Sequence, residues 1–229
     1  MRYLAIGAHP DDCELKCFGT LAKLKALGHG IGVCILSNGG LGSKAISSEE
    51  LKVIRHREAV AAAAVIGAEL YEAGFDDNTL DRNNEDMVRG VAEIVRRFKP
   101  DVIFTSPPAD YHKDHIEASW LALYGSFASA LPNFRTESPC HPVIPAVYYY
   151  DAAGGLHFEP TEYVDITETM DLRIKAFLCH KSQLSTAGDP AERTKIHAAF
   201  RGLQCGVAYA EAFRPCLMMS RVAAFRVLP

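Results

Sequence analysis

The chain has 229 residues, 48% hydrophobic and 23% charged, with a formal net charge of −4. That length suits a single α/β domain spanning 1–229 with a full hydrophobic core, and the balance excludes a disordered chain. Lysines and arginines are dispersed rather than gathered in a block, which argues against a nucleic-acid partner. No run approaches the roughly 18 apolar residues of a membrane helix, so the expected partner is a small molecule and not a membrane.

The start, Met1-Arg2-Tyr3-Leu4-Ala5-Ile6, enters an apolar run at once, without the charged leader and small-residue cleavage site of a signal peptide. Leu4 to Ala8 is the first predicted strand. A helix over Gly19 to Leu27 ends at Gly28, which tolerates the left-handed backbone of a helix terminus. Ile31 to Leu36 is strand two. Ser47 and Glu50 have capping-box spacing and open a helix running to about Ile66, followed by a weaker strand over Ala68 to Tyr71. A helix over Glu85 to Phe98 is broken by Lys99-Pro100-Asp101 before strand four, Val102 to Thr105. Alternation of this kind predicts a Rossmann-like, mostly parallel sheet flanked by helices on both faces. Past Leu131 the pattern is less regular: prolines 132, 139, 142 and 145 mark a long loop. Strands are expected near Val147 to Tyr150 and Tyr163 to Ile166, and helices near Met170 to Cys179 and Pro190 to Leu203. The seven cysteines are odd in number and scattered, which fits reduced thiols in a cytoplasmic protein.

Ligands of open α/β sheets bind beyond the carboxyl ends of the strands. Strand one ends in Ala8-His9-Pro10-Asp11-Asp12, and strand four is followed by Tyr111-His112-Lys113-Asp114-His115. The two clusters therefore share one rim of the sheet. His9 and Asp12, three apart in a turn, with His115 from the other loop, form a donor set suited to zinc and leave a fourth position for water, whose pKa falls to about 7 on the metal. Asp11, stiffened by Pro10 and pointing away from Asp12, is the expected general base. His112, with Asp114 to fix its tautomer or support its charge, is the expected acid and oxyanion partner.

These residues resemble the signature of the LmbE-like, or PIG-L-type, deacetylases: Ala8-His9-Pro10-Asp11-Asp12 near the start and His112-Lys113-Asp114-His115 in mid-chain. The resemblance extends through Arg55-His56-Arg57-Glu58-Ala59, His180-Lys181-Ser182-Gln183 and Tyr209-Ala210-Glu211-Ala212-Phe213. It implies a zinc-dependent N-deacetylase of N-acetylglucosamine compounds, with Fe2+ or Co2+ as other metals such sites accept. By position it implies His9, Asp12 and His115 as metal ligands, Asp11 as base, His112 with Asp114 as a charged acid pair, and Arg55 as a substrate-binding residue. It also implies a homo-oligomer, trimeric or hexameric. The chain departs from the family pattern in Ser37 to Gly42, where relatives often carry an acidic residue. Asp110 stands where some place a tyrosine, and Lys16-Cys17-Phe18 replaces a small, glycine-rich stretch.

Two further residues have double readings. Asp77, after strand three, either binds a sugar hydroxyl or belongs to an ordinary Gly74-Phe75-Asp76-Asp77-Asn78 turn. His180 either lines the pocket or caps its helix. His29, His56, His141, His157 and His197 lack carboxylates at ligand spacing and are expected to be surface or packing residues. Gly39-Gly40-Leu41-Gly42 matches neither dinucleotide nor P-loop spacing. The competing functions are an amidase for a larger N-acyl metabolite and a non-catalytic metal- or ligand-binding protein.

Overall fold

The computed structural model describes residues 1–184 and 189–218. In chain order the elements are β1 (Arg2–Gly7), α1 (Asp12–Lys16), α2 (Phe18–Ala26), β2 (Gly30–Ser37), α3 (Ser48–Ala64), β3 (Glu69–Phe75), α4 (Glu85–Phe98) and β4 (Val102–Thr105). They continue with α5 (Lys113–Ala128), β5 (Ala146–Tyr150), β6 (Glu162–Asp165), α6 (Met170–Phe177), α7 (Pro190–Cys205) and β7 (Ala210–Pro215). The strands form one seven-stranded sheet in the order β3-β2-β1-β4-β5-β7-β6. The first five are parallel, and β7 runs antiparallel to both β5 and β6.

Period-two alternation sorts the strand side chains onto two cores, because successive residues of a strand point to opposite faces. Leu4, Ile6, Cys34, Leu36 and Ile103 pack beneath α4 and α5 with Val91, Val95, Phe98 and Leu121. Ala5, Ile31, Val33, Ile35 and Phe104 pack on the other face with Phe18, Leu21 and Ala62. Helices thus cover both faces, as a parallel sheet requires. The predicted cap is present: the Ser47 hydroxyl accepts the Glu50 N–H at 3.4 Å.

Strand order reverses at β1, since β2 lies on one side and β4 on the other, and the loops after these strands diverge to leave a crevice. Among the described residues no helix is long and apolar enough to cross a membrane.

Candidate active site

The crevice is a cavity of about 700 Å³ whose wall includes His9, Asp11, Asp12, Asp77, His112 and His115. Asp12 opens α1 directly after β1, and His112 caps the N-terminus of α5, its Nδ1 accepting the Asp114 N–H at 3.2 Å. Two strands and two helix starts therefore aim at one point. The imidazole centroids lie 4.8 Å (His9–His112), 5.4 Å (His9–His115) and 4.9 Å (His112–His115) apart.

Carboxylates surround these rings. Asp12 presents one oxygen 3.6 Å from His9 Nδ1 and the other 3.4 Å from His115 Nε2. The far nitrogen of each ring is held by another acid: His9 Nε2 lies 3.2 Å from Asp77 and 3.4 Å from Asp114, and His115 Nδ1 lies 3.0 Å from Asp110. A carboxylate behind an imidazole fixes its tautomer and leaves the near nitrogen a lone pair for a metal. Burial opposes protonation of His9, but Asp114, Asp12 and Asp77 outweigh it and push the ring up to about 12. Burial likewise opposes protonation of His115, and Asp12 and Asp110 push it up to about 10. So many acids in a half-buried space call for a cation.

Among the described residues, two groups have donor atoms within 4.8 Å of one another: His9, His112 and His115, and His9, Asp77 and Asp114. Asp12 is in neither group, yet its carboxylate touches both His9 and His115. Asp114 lies elsewhere than expected. Its buried carboxylate accepts the Asn78 N–H at 2.7 Å and faces His9, while only its backbone N–H meets the His112 ring. The reason is geometric: Asp114 is in the first turn of α5, and its side chain reaches across to the loop after β3. Asp77, in that loop, accepts the Leu41 N–H at 2.9 Å as well as facing His9.

Asp11 has φ 108°, a left-handed conformation that is costly for a residue with a side chain. Arg55 braces it from α3. The guanidinium donates to the Pro10 carbonyl, to Asp11 Oδ1 at 3.1 Å and to the Gly39 carbonyl at 3.2 Å. Gly39 makes room for it: φ there is +63°, and a Cβ would lie 2.5 Å from Arg55 Nη1. Burial raises the Asp11 carboxyl to about 6, against the lowering effect of Arg55. Arg55 is 3% exposed and borders the cavity, but three of its contacts are to protein. His180 is fully buried beside Glu14, with Nε2 3.5 Å from the carboxylate, and it is not among the cavity-lining residues. Gln183, three residues on, does line the cavity.

Sequence reasoning missed Asp110 as the partner of His115, and His197, which lines the cavity with Nε2 3.0 Å from Asp151. Their partners are five residues away at the start of α5 and 46 residues away just after β5, respectively; only the first spacing is readable. His56 also has a carboxylate partner, Glu72, at 2.6 Å on the surface.

Fold and site together define an α/β protein with a His- and Asp-lined candidate metal centre at the switch point of a mostly parallel sheet. The chain belongs to the PIG-L family: the family model for GlcNAc-PI de-N-acetylases matches residues 4–123, which hold every predicted site residue except His180. It is 26% identical over 228 residues to the diacetylchitobiose deacetylase of Thermococcus kodakarensis, covering 93% of this chain and 82% of that protein. The structure of the N,N'-diacetylchitobiose deacetylase from Pyrococcus horikoshii, complexed with an inhibitor, superposes with a TM-score of 0.82 at 28% identity, covering 94% of this chain and 83% of that one. A similar fold, TM-score 0.83 at 23% identity and covering 99% and 100%, belongs to GalB of Pseudomonas putida, a 4-carboxy-2-hydroxymuconate hydratase. One fold thus serves different reactions, and the choice among them rests on the site.

Proposed function

We propose that this chain is a metal-dependent de-N-acetylase that converts the acetamido group of an N-acetylglucosamine-type substrate to a free amine and acetate. The observation that supports this best is Asp12, whose carboxylate bridges two imidazoles that are each backed by a further acid. His9, Asp12 and His115 would hold the metal. We prefer this set to the three-imidazole group because His112 Nδ1 is occupied by the Asp114 N–H and its ring is free to serve the substrate. Nitrogen and carboxylate donors suit zinc, and Fe2+ or Co2+ accept the same set. When bound, zinc supplies a Lewis acid and lowers the pKa of water at an open coordination position.

The remaining steps belong to side chains of this protein. Asp11, held toward the cavity by Arg55, accepts the proton of the attacking water. Because His112 Nδ1 accepts a hydrogen bond, its Nε2 bears the proton in the neutral ring and can donate to the acetyl oxygen. Water adds its oxygen to the acyl carbon, the carbon–nitrogen bond breaks, and the proton collected by Asp11 goes to the departing amine.

Acetate release from N-acetylglucosamine and N,N'-diacetylchitobiose should be abolished by chelation and restored by zinc. Asp11→Asn should retain metal and lose roughly 10²- to 10⁴-fold in rate. Acetate release indifferent to chelation, or undiminished in Asp11→Asn, would overturn the mechanism. Turnover of bulkier amides alone would assign the site to a larger acyl group.

A further inference from the structure

Arg55 and Glu58 are three residues apart and so share one face of α3. Arg55 reaches toward Pro10, Asp11 and Gly39, and Glu58 reaches the turn Lys181–Gln183 that follows α6. The buried Glu58 carboxylate accepts both the Ser182 N–H and the Ser182 hydroxyl, each at 2.7 Å. Gln183 Nε2 in turn donates to Ser182 Oγ at 3.1 Å. Glu58, Ser182 and Gln183 take no part in the hydrolytic steps derived above.

This short chain of hydrogen bonds has a fixed direction. An ionised carboxylate only accepts, so the single hydroxyl proton of Ser182 is committed to Glu58 and its oxygen has only lone pairs left to offer. The Gln183 carboxamide must therefore turn its NH2 toward Ser182, which decides where Oε1 points. Among the described residues no group donates to that Oε1. Gln183 lines the cavity, and its carboxamide stands beside Gly42 and Arg55: a Cβ on Gly42 would lie 3.1 Å from Oε1 and 3.0 Å from Arg55 Nη1. Gly42 does not have a left-handed backbone, so the missing side chain serves room and not conformation. The Ser37 to Gly42 loop itself carries no acid, and Gln183 supplies a neutral acceptor beside it. A neutral acceptor of set direction suits an uncharged donor, of which a sugar hydroxyl is the commonest kind.

We propose that Gln183 is a specificity-determining residue whose Oε1 accepts a ring hydroxyl of the substrate, and that Glu58 and Ser182 are positioning residues that set the direction of its carboxamide. The sugar nature of the ligand rests on the de-N-acetylase reading, whereas recognition of the hydroxyl can be measured without turnover.

The test uses four ligands on the zinc-loaded full chain: N-acetylglucosamine and its 3-deoxy, 4-deoxy and 6-deoxy analogues. Affinities come from calorimetry, and kcat and KM from acetate release. At least one analogue should bind the wild type about 3- to 10-fold more weakly than the parent sugar, the range of a neutral hydrogen bond, with the same ratio in kcat/KM. Gln183→Met keeps the length of the side chain and removes the acceptor, and should bring that ratio close to one. Ser182→Ala frees the carboxamide to turn and should lower the ratio in part, while Ser182→Thr keeps the hydroxyl and should preserve it. A general structural defect would weaken all four ligands together and leave the ratios intact. A wild type indifferent to all three deletions, or wild-type ratios for all three in Gln183→Met, overturns the assignment of Gln183. An unchanged ratio in Ser182→Ala overturns the positioning roles. Discrimination among the ligands without acetate release from any of them would support the hydroxyl site and sink the de-N-acetylase reading, and acetate release without discrimination would do the reverse.

Discussion

Arg55→Met separates a brace from a substrate contact. The Arg55 side chain is 4% exposed and its guanidinium meets two carbonyls and the Asp11 carboxylate, whose own side chain is 16% exposed. Removing one partner of such a buried pair leaves the other charged and unpaired, at a cost of about 3–5 kcal/mol. Unfolding entropy near 60 °C is about 2.1 cal/mol/K per residue, so a chain of 229 residues has about 0.5 kcal/mol/K and Tm should fall by about 6–10 °C. Lysine keeps the charge but cannot span Pro10, Asp11 and Gly39 at once, and Arg55→Lys should recover only part of the loss. Differential scanning fluorimetry with a two-state fit of denaturant unfolding provides the measurement. A Tm within about 1 °C of wild type in Arg55→Met, with only KM raised, would refute the brace and return Arg55 to the substrate.

Three further outcomes follow from named contacts. Asp110→Ala removes the acid behind His115 Nδ1 and should weaken metal binding about 10- to 100-fold in a competition titration against a chelator. Burial pushes Asp151 up, but His197 and Arg201 outweigh it and hold its folded-state pKa below the ordinary value. Its stabilisation is therefore complete above the unfolded pKa of about 3.9 and lost as pH falls through the lower folded value, so the stability gap between wild type and Asp151→Asn should close below about pH 4. Gly32→Ala would place a Cβ 2.8 Å from the Phe98 ring and 2.9 Å from Leu4, and should cost about 1–3 kcal/mol by overpacking, read as a shift in denaturant midpoint.

What could be read from the sequence was local. The regular βα half is legible because its buried parallel strands, such as Ile31 to Leu36, are continuous apolar runs between glycine and polar breaks. His9 to Asp12 and His112 to His115 stand out because each follows such a strand. The edge strand β3 runs on to Phe75, beyond its apolar stretch, since Glu69 and Glu72 interrupt the pattern and three of its seven residues are exposed. The α5 helix was missed because its cap is a histidine, which carries no ordinary N-terminus signal. The β7 strand was missed for a different reason. Glu211 breaks its apolar pattern, and that acid is buried because the N–H groups of Gly19 and Thr20, 192 and 191 residues away, meet it at 2.9 and 2.7 Å and Arg173 Nε lies 3.3 Å from it. Arg55 shows the same limit: its partners are the Pro10 and Gly39 carbonyls and the Asp11 carboxylate, 45, 16 and 44 residues away, separations that no local pattern spans.

The most direct test of the metal assignment is the zinc K-edge X-ray absorption spectrum of the loaded protein, wild type beside His115→Ala. The wild type should show a nitrogen and oxygen shell at about 2.0–2.1 Å with scattering from two imidazoles, and His115→Ala should lose one imidazole and most of its bound zinc. A sulfur shell at about 2.3 Å, as Cys13 or Cys17 would give, or an unchanged spectrum and zinc content in His115→Ala, would contradict the site built on His9, Asp12 and His115.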